Sequence, residues 1–203
     1  MDNLFMIREK IRELYASHSK IFDKALQFVV AFLTFYMINS NVGFMKMAAS
    51  PLVTLALSVI CTFLPMTLTV IAASALMLAH MFSVSLSVFI VTALVLLIMY
   101  IFYFRLAPKM ALALLLTPIA FMLKIPYVIP VAYGLMSVPV SLVAISCGTI
   151  IYYIMQYVKK AAPGLDGKGG AGLLAEITAY LKQVFQNKEM WITVIAFIIC
   201  LLV

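Results

Sequence analysis

Apolar positions run almost unbroken from Ala25 to Phe104 and again from Met110 to Val158. The one formal charge inside the first run is Lys46, and inside the second it is Lys124. An apolar run of about 18 or more residues crosses a bilayer as a helix. Every backbone polar group must be satisfied within lipid, which makes helix the default. The runs lack the strict alternation of a membrane β-barrel. The pattern therefore predicts an all-α, polytopic helical membrane protein of about six crossings, with proline-broken helices and flanking amphipathic helices.

Residues 1–23 read as an amphipathic interfacial helix, with Leu4, Ile7, Ile11, Leu14 and Ile21 at three- and four-residue steps on one face. No small-residue cleavage site follows the charged stretch, so it does not read as a signal peptide. A transmembrane bundle is expected over 24–160, its first span running from Lys24 to Ser40. Pro51 suits the first turn of a helix. Pro65 interrupts the apolar run that follows, because a proline inside a helix removes a hydrogen bond and clashes with the preceding turn. Residues 51–80 are then either a broken hairpin or one kinked span. An intact span at 83–104 ends in Tyr100, Phe102, Tyr103 and Phe104 before Arg105 and Lys109.

Residues 107–137 repeat that irregularity around Lys124-Ile125-Pro126, Pro130 and Gly134, and a further span covers 138–158. Pro65 matches Pro126, and Val84–Leu86 matches Val140–Leu142. A short helix, a proline break, a second segment and an intact span thus occur twice, as a weak internal repeat. Residues 161–189 read as a Gly-rich linker followed by an amphipathic helix at the membrane surface. The linker is no phosphate loop, since Ala162 and Gly169 stand where that motif needs Gly and Ser or Thr. Residues 190–203 are apolar but short of the roughly 20 residues of a span. They are read as the start of a truncated one, with the natural chain continuing past Val203.

Composition agrees with lipid as the solvent: 66% of the 203 residues are hydrophobic and 10% are charged. The mean hydropathy is +1.17. The net charge of +7 sits mostly outside the apolar runs. There it meets anionic lipids and sets orientation rather than binding nucleic acid. Arg8, Lys10, Arg12, Lys20 and Lys24 precede the first span, which puts the N-terminus in the cytoplasm of a multi-pass cell-membrane protein. To bring Lys159, Lys160, Lys168, Lys182 and Lys188 to the same side, residues 107–137 are expected to make one net crossing.

Every Asp and Glu lies at the periphery, which leaves no embedded carboxylate for proton coupling or a hard cation. Cys61, Cys147 and Cys200 fit no zinc or redox spacing. His80, alone among acid-free neighbours, reads as interfacial. The expectation is no enzyme, no cofactor and no metal. Broken helices line sites in transporters, so the candidate binding residues are Lys124, Pro126 and Tyr127 at one break, and Thr62 and Pro65 at the other. The spans also carry Ser58, Thr62, Thr67, Thr69, Ser74, Ser141, Ser146, Gly148 and Thr149, which suit close helix packing more than a polar path.

The stretch from Leu115 to Pro130, Leu-Leu-Thr-Pro-Ile-Ala-Phe-Met-Leu-Lys-Ile-Pro-Tyr-Val-Ile-Pro, together with Cys61-Thr62-Phe63-Leu64-Pro65, resembles a family of bacterial multi-pass membrane proteins, loosely permease-like. The resemblance implies no site and no substrate. Two functions follow from the residues. One is a transporter or permease-like component with its site near the broken helices. The other is a membrane subunit or scaffold that docks membrane-protein partners, or a second copy, through its amphipathic helices.

Overall fold

The computed structural model describes residues 2–136, 138–161 and 173–202. They form nine helices: α1 (Asp2–Val42), α2 (Pro51–Phe63), α3 (Met66–Val84), α4 (Leu86–Leu106), α5 (Ala111–Met122), α6 (Val128–Leu135), α7 (Ser141–Ala161), α8 (Leu173–Phe185) and α9 (Lys188–Leu202). Five stretches are long and apolar enough to cross a membrane: Ser19–Val42, Met66–Val84, Leu86–Leu106, Ser141–Ala161 and Ile177–Leu201. α2 and α5 are apolar but shorter.

α1 has no break at the expected boundary after Asp23. Its 41 residues make a rod about 60 Å long, roughly twice a hydrocarbon core. The amphipathic face expected over residues 1–23 lies largely outside the side chains described. Within the span, Val30, Ala31, Thr34, Phe35, Ile38 and Val42 face inward, while Leu26, Val29, Leu33 and Tyr36 face out. That is the helical period of a bundle helix with a lipid side.

Hydrogen bonds between distant residues fix the direction of each helix. Lys24 Nζ donates to the Thr62 carbonyl at 2.6 Å, and Asn39 Nδ2 donates to Thr54 Oγ1 at 2.7 Å. α2 therefore runs antiparallel to α1. Ser50 caps it and Pro51 opens its first turn. α3 returns, since its His80 reaches Asn39 Oδ1 at 2.8 Å. Residues 51–80 are thus a broken hairpin and not one kinked span. Tyr100, near the end of α4, donates to the Val70 carbonyl near the start of α3, so α4 runs back to the Lys24 end.

α5 starts from that end, beside the Tyr103 hydroxyl, which donates to Pro108 O. The chain turns at Leu123–Tyr127 and α6 heads back. α7 then rises beside α5: the ring of Phe121 stacks on Tyr152 at 4.4 Å. At the far end Lys159 Nζ donates to Asn41 Oδ1 at 3.3 Å. This contact overturns the expected net crossing of residues 107–137. α5 and α6 enter from the Lys24 end and return to it, so Lys159 and Lys160 lie with Asn41, opposite Lys24. The physical reason is length. α5 and α6 have 12 and 8 residues, about 18 and 12 Å of helix, each short of a full crossing.

The last apolar segment also differs from expectation. α8 does not rest free on the membrane surface. It buries Tyr180 and Val184, and Tyr180 Oη lies 3.2 Å from Thr92 Oγ1 of α4. Counted from Ile177, the stretch has 25 residues and is long enough to cross, with an interruption at Gln186–Asn187. It is not the short segment that residues 190–203 suggest alone. α9 descends antiparallel to α7: Thr193 lies 3.0 Å from the Tyr153 hydroxyl, and the open side of Gly134 meets Cys200 O.

α5 and α7 are in close contact at Gly148. A Cβ there would lie 2.8 Å from Leu114 O and 2.8 Å from Thr117 Cβ. Small residues permit this kind of contact between membrane helices.

Candidate functional site

The two sets of sequence candidates do not meet. Thr62 and Pro65 lie at the Lys24 end. The Thr62 hydroxyl donates to Ser58 O at 2.7 Å, and Gln27 Nε2 donates to both Cys61 O, at 2.7 Å, and Leu64 O. The carbonyls freed by the break at Pro65 are therefore satisfied by α1, and the turn is packed and capped. Lys124, Pro126 and Tyr127 lie at the α5–α6 turn. Lys124 is exposed and holds the left-handed backbone, φ 60°, that the tight turn needs. Tyr127 rests its ring on Phe197 of α9.

The hydroxyls in the spans do not line a path. Thr34, Ser58, Ser74, Thr117 and Thr149 each donate to the carbonyl four residues back on their own helix. The space between α1, α3, α4, α5 and α7 is about 20 Å³, room for about one water. Those residues pack helices together.

A different place carries the chemistry. An open vestibule of about 750 Å³ lies at the Asn41 end, between α7, α8 and α9. Phe121, one turn before the α5–α6 tip, forms part of its wall with Tyr152, Tyr153 and Tyr157 of α7. Gln156, Lys160, Lys182, Gln183, Gln186, Asn187 and Glu189 supply its polar groups. The α7 positions recur at four-residue steps, which places them on one face of the helix. Tyr153 ties that face to α9 through Thr193. Tyr157 ties it to α8 by donating to Gln183 Oε1 at 2.8 Å. Asn187 opens α9, its Oδ1 accepting from the Met190 N–H at 3.2 Å. Among the described residues none forms an ion pair with Lys160, Lys182 or Glu189. The vestibule thus holds two free ammonium groups, one free carboxylate, amides and an aromatic wall.

His80, four residues from the end of α3, is fully buried within the protein. Met45 N–H donates to its Nδ1 at 3.2 Å, so the proton sits on Nε2 and is given to Asn39 Oδ1. Asn39 also donates to Ala48 O and Thr54 Oγ1. The cluster fastens residues 45–48 to α1, α2 and α3. Among the described residues no group of three His, Cys, Asp or Glu could hold a metal ion.

Comparison with protein-family models, with curated proteins and with solved structures returns no match in any of the three. The molecule's own helices establish its class, that of a multi-pass integral membrane protein.

Proposed function

We propose that the chain is a permease-like membrane component that admits a small polar solute through the α7–α8–α9 vestibule. One observation carries this reading. The triplet α2–α3–α4 runs away from the Asn41 end, towards it and away again, while α5–α6–α7 runs towards it, away and towards it. The same order of short helix, break, partner and long span is thus inserted in opposite directions, although α6 is shorter than α3. Inverted repeats of this kind underlie many secondary transporters, whose broken helices border the solute site. On this reading the Lys24 end, with Arg8 to Lys24, Arg105 and Lys109, is taken as cytoplasmic by the positive-inside rule, although Lys46, Lys159, Lys160, Lys182 and Lys188 stand at the other end. This reading needs no catalytic step and no cofactor.

Flux into liposomes tests it. The full chain is reconstituted and offered amino acids, amino-alcohol phosphates, organic acids and monovalent cations. Carrier-dependent entry of one class is expected, and Ala179→Trp, which sets a large ring into the vestibule from an exposed position of α8, lowers it while the melting temperature holds. Entry at the protein-free rate for every solute removes the transport reading. It leaves the scaffold as the remaining one, favoured by the apolar groove of about 400 Å³ between α4, α7, α8 and α9.

A further inference from the structure

We infer that the vestibule recognises a small zwitterion, a ligand carrying an amine or quaternary ammonium together with a phosphate or carboxylate. The inference deepens the solute-entry reading, and it rests on that reading only for the site, since binding needs no transport.

The argument comes from the order of groups along the wall. Phe121 contacts Tyr152 and Tyr153, which form the inner part of the wall. Lys160 lies seven residues beyond Tyr153 on the same face, about 10 Å further out. Glu189 stands on the first turn of α9, one turn before the Thr193 that meets Tyr153. It is therefore about one turn further out than Tyr153, at the height of Tyr157. Lys182 belongs to α8, beside the Gln183 that meets Tyr157. Aromatic rings lie innermost, Glu189 and Lys182 stand at one height above them, and Lys160 stands outermost, so the wall offers both signs of charge to the two ends of one ligand. Rings attract an ammonium group through their quadrupole, most strongly where water is thin. Lysines hold a phosphate or carboxylate as point charges. A simple anion held by Lys182 would lie at the height of Glu189, and a simple cation held by Glu189 would lie at the height of Lys182. A zwitterion entering ammonium first satisfies all three charged groups. At about 750 Å³ the space is ample for a headgroup-sized molecule.

Equilibrium binding to the purified full chain in detergent tests this, with phosphocholine, tetramethylammonium and inorganic phosphate as probes. Phosphocholine should bind about tenfold or more tightly than either half. Glu189→Gln should weaken phosphocholine and tetramethylammonium and leave phosphate unchanged. Lys160→Gln with Lys182→Gln should weaken phosphocholine and phosphate and spare tetramethylammonium. Equal affinity for phosphocholine and phosphate, with no effect of Glu189→Gln, would overturn the inference in favour of an anion site. Absence of binding by all three probes in a chain that still melts cooperatively would overturn it outright. Nanodiscs separate the two sources of such a group. If a phosphatidylcholine headgroup occupies the site, free phosphocholine binds in phosphatidylglycerol discs and is competed out in phosphatidylcholine discs; a soluble ligand's site binds equally in both. Binding without flux supports the inference while removing the transport reading.

Discussion

The Nε2 of His80 lies 2.8 Å from Asn39 Oδ1, joining a fully buried side chain on one helix to a half-buried one on another. His80 is fully buried, and both its ring nitrogens are in use. A buried polar group left without its partner costs about 1–3 kcal/mol, more than the bond itself contributes. His80→Ala and Asn39→Ala should each lower stability by that amount. The double variant should lose less than the sum, because each single change strands the other partner. Unfolding in detergent, followed by circular dichroism, measures the coupling. Strict additivity would show that the two side chains do not share one network.

Gln27 closes the turn at Pro65 by donating to Cys61 O and Leu64 O. Cys61 O has lost its helical partner because Pro65 cannot donate, and the Leu68 N–H that would serve Leu64 O turns to Pro65 O instead. Gln27→Leu keeps the bulk and removes the donor, and about 1–3 kcal/mol of stability should go with it. The comparison is with Gln186→Leu, at an exposed turn position, which should change stability by less than about 0.5 kcal/mol. Equal effects from the two would mean that the Pro65 turn holds without Gln27.

Gly148 is where α5 and α7 touch, and the nearest atoms are the Leu114 carbonyl oxygen, Thr117 Cβ and Pro118 Cδ. Backbone cannot swing aside as a long side chain can. Gly148→Ala should cost about 1–3 kcal/mol by overpacking, and Gly148→Val more. A melting temperature unchanged by Gly148→Ala would show that the two helices can part without loss.

The spans were legible in the sequence because lipid demands long apolar runs and helices to satisfy the backbone. The break at Pro65 was legible for a local reason, the missing N–H. Direction was not. The sidedness of residues 107–137 rested on keeping all the later lysines with the N-terminus, and the contact that decides it joins Lys159 to Asn41, far apart in sequence. α8 looked like a surface helix because a face buried on α4 and a face buried in lipid have the same apolar pattern; Tyr180 and Val184 could serve either. The vestibule was missed for a similar reason. Tyr152, Tyr153, Gln156, Tyr157 and Lys160 share one face of α7, yet alone they read as an aromatic belt with a snorkelling lysine. Only the amides of α8 and α9 packed opposite turn that face into a wall.

Sidedness offers the sharpest check on the fold, because the two arrangements of residues 107–137 differ in one countable outcome. Lys20 and Arg105 are exposed at the Lys24 end, and Lys46 and Lys159 are exposed at the other. Single cysteines at these four positions, in a chain whose own Cys61, Cys147 and Cys200 are replaced by Ser or Ala, are treated with a membrane-impermeant maleimide in sealed vesicles. Lys20→Cys and Arg105→Cys should label from one side, and Lys46→Cys and Lys159→Cys from the other. The split holds whichever end faces the cytoplasm, so it tests the turning back of α5 and α6 separately from orientation. An odd number of crossings between Arg105 and Lys159 distinguishes the two cases. α7 alone gives one and puts the residues on opposite sides; a full crossing by residues 107–137 adds a second and puts them together. Labelling of Lys159→Cys from the same side as Lys20→Cys would mean that α5 and α6 span the membrane. The bond from Lys159 to Asn41 could not then exist, and the opposed triplets behind the permease reading would go with it.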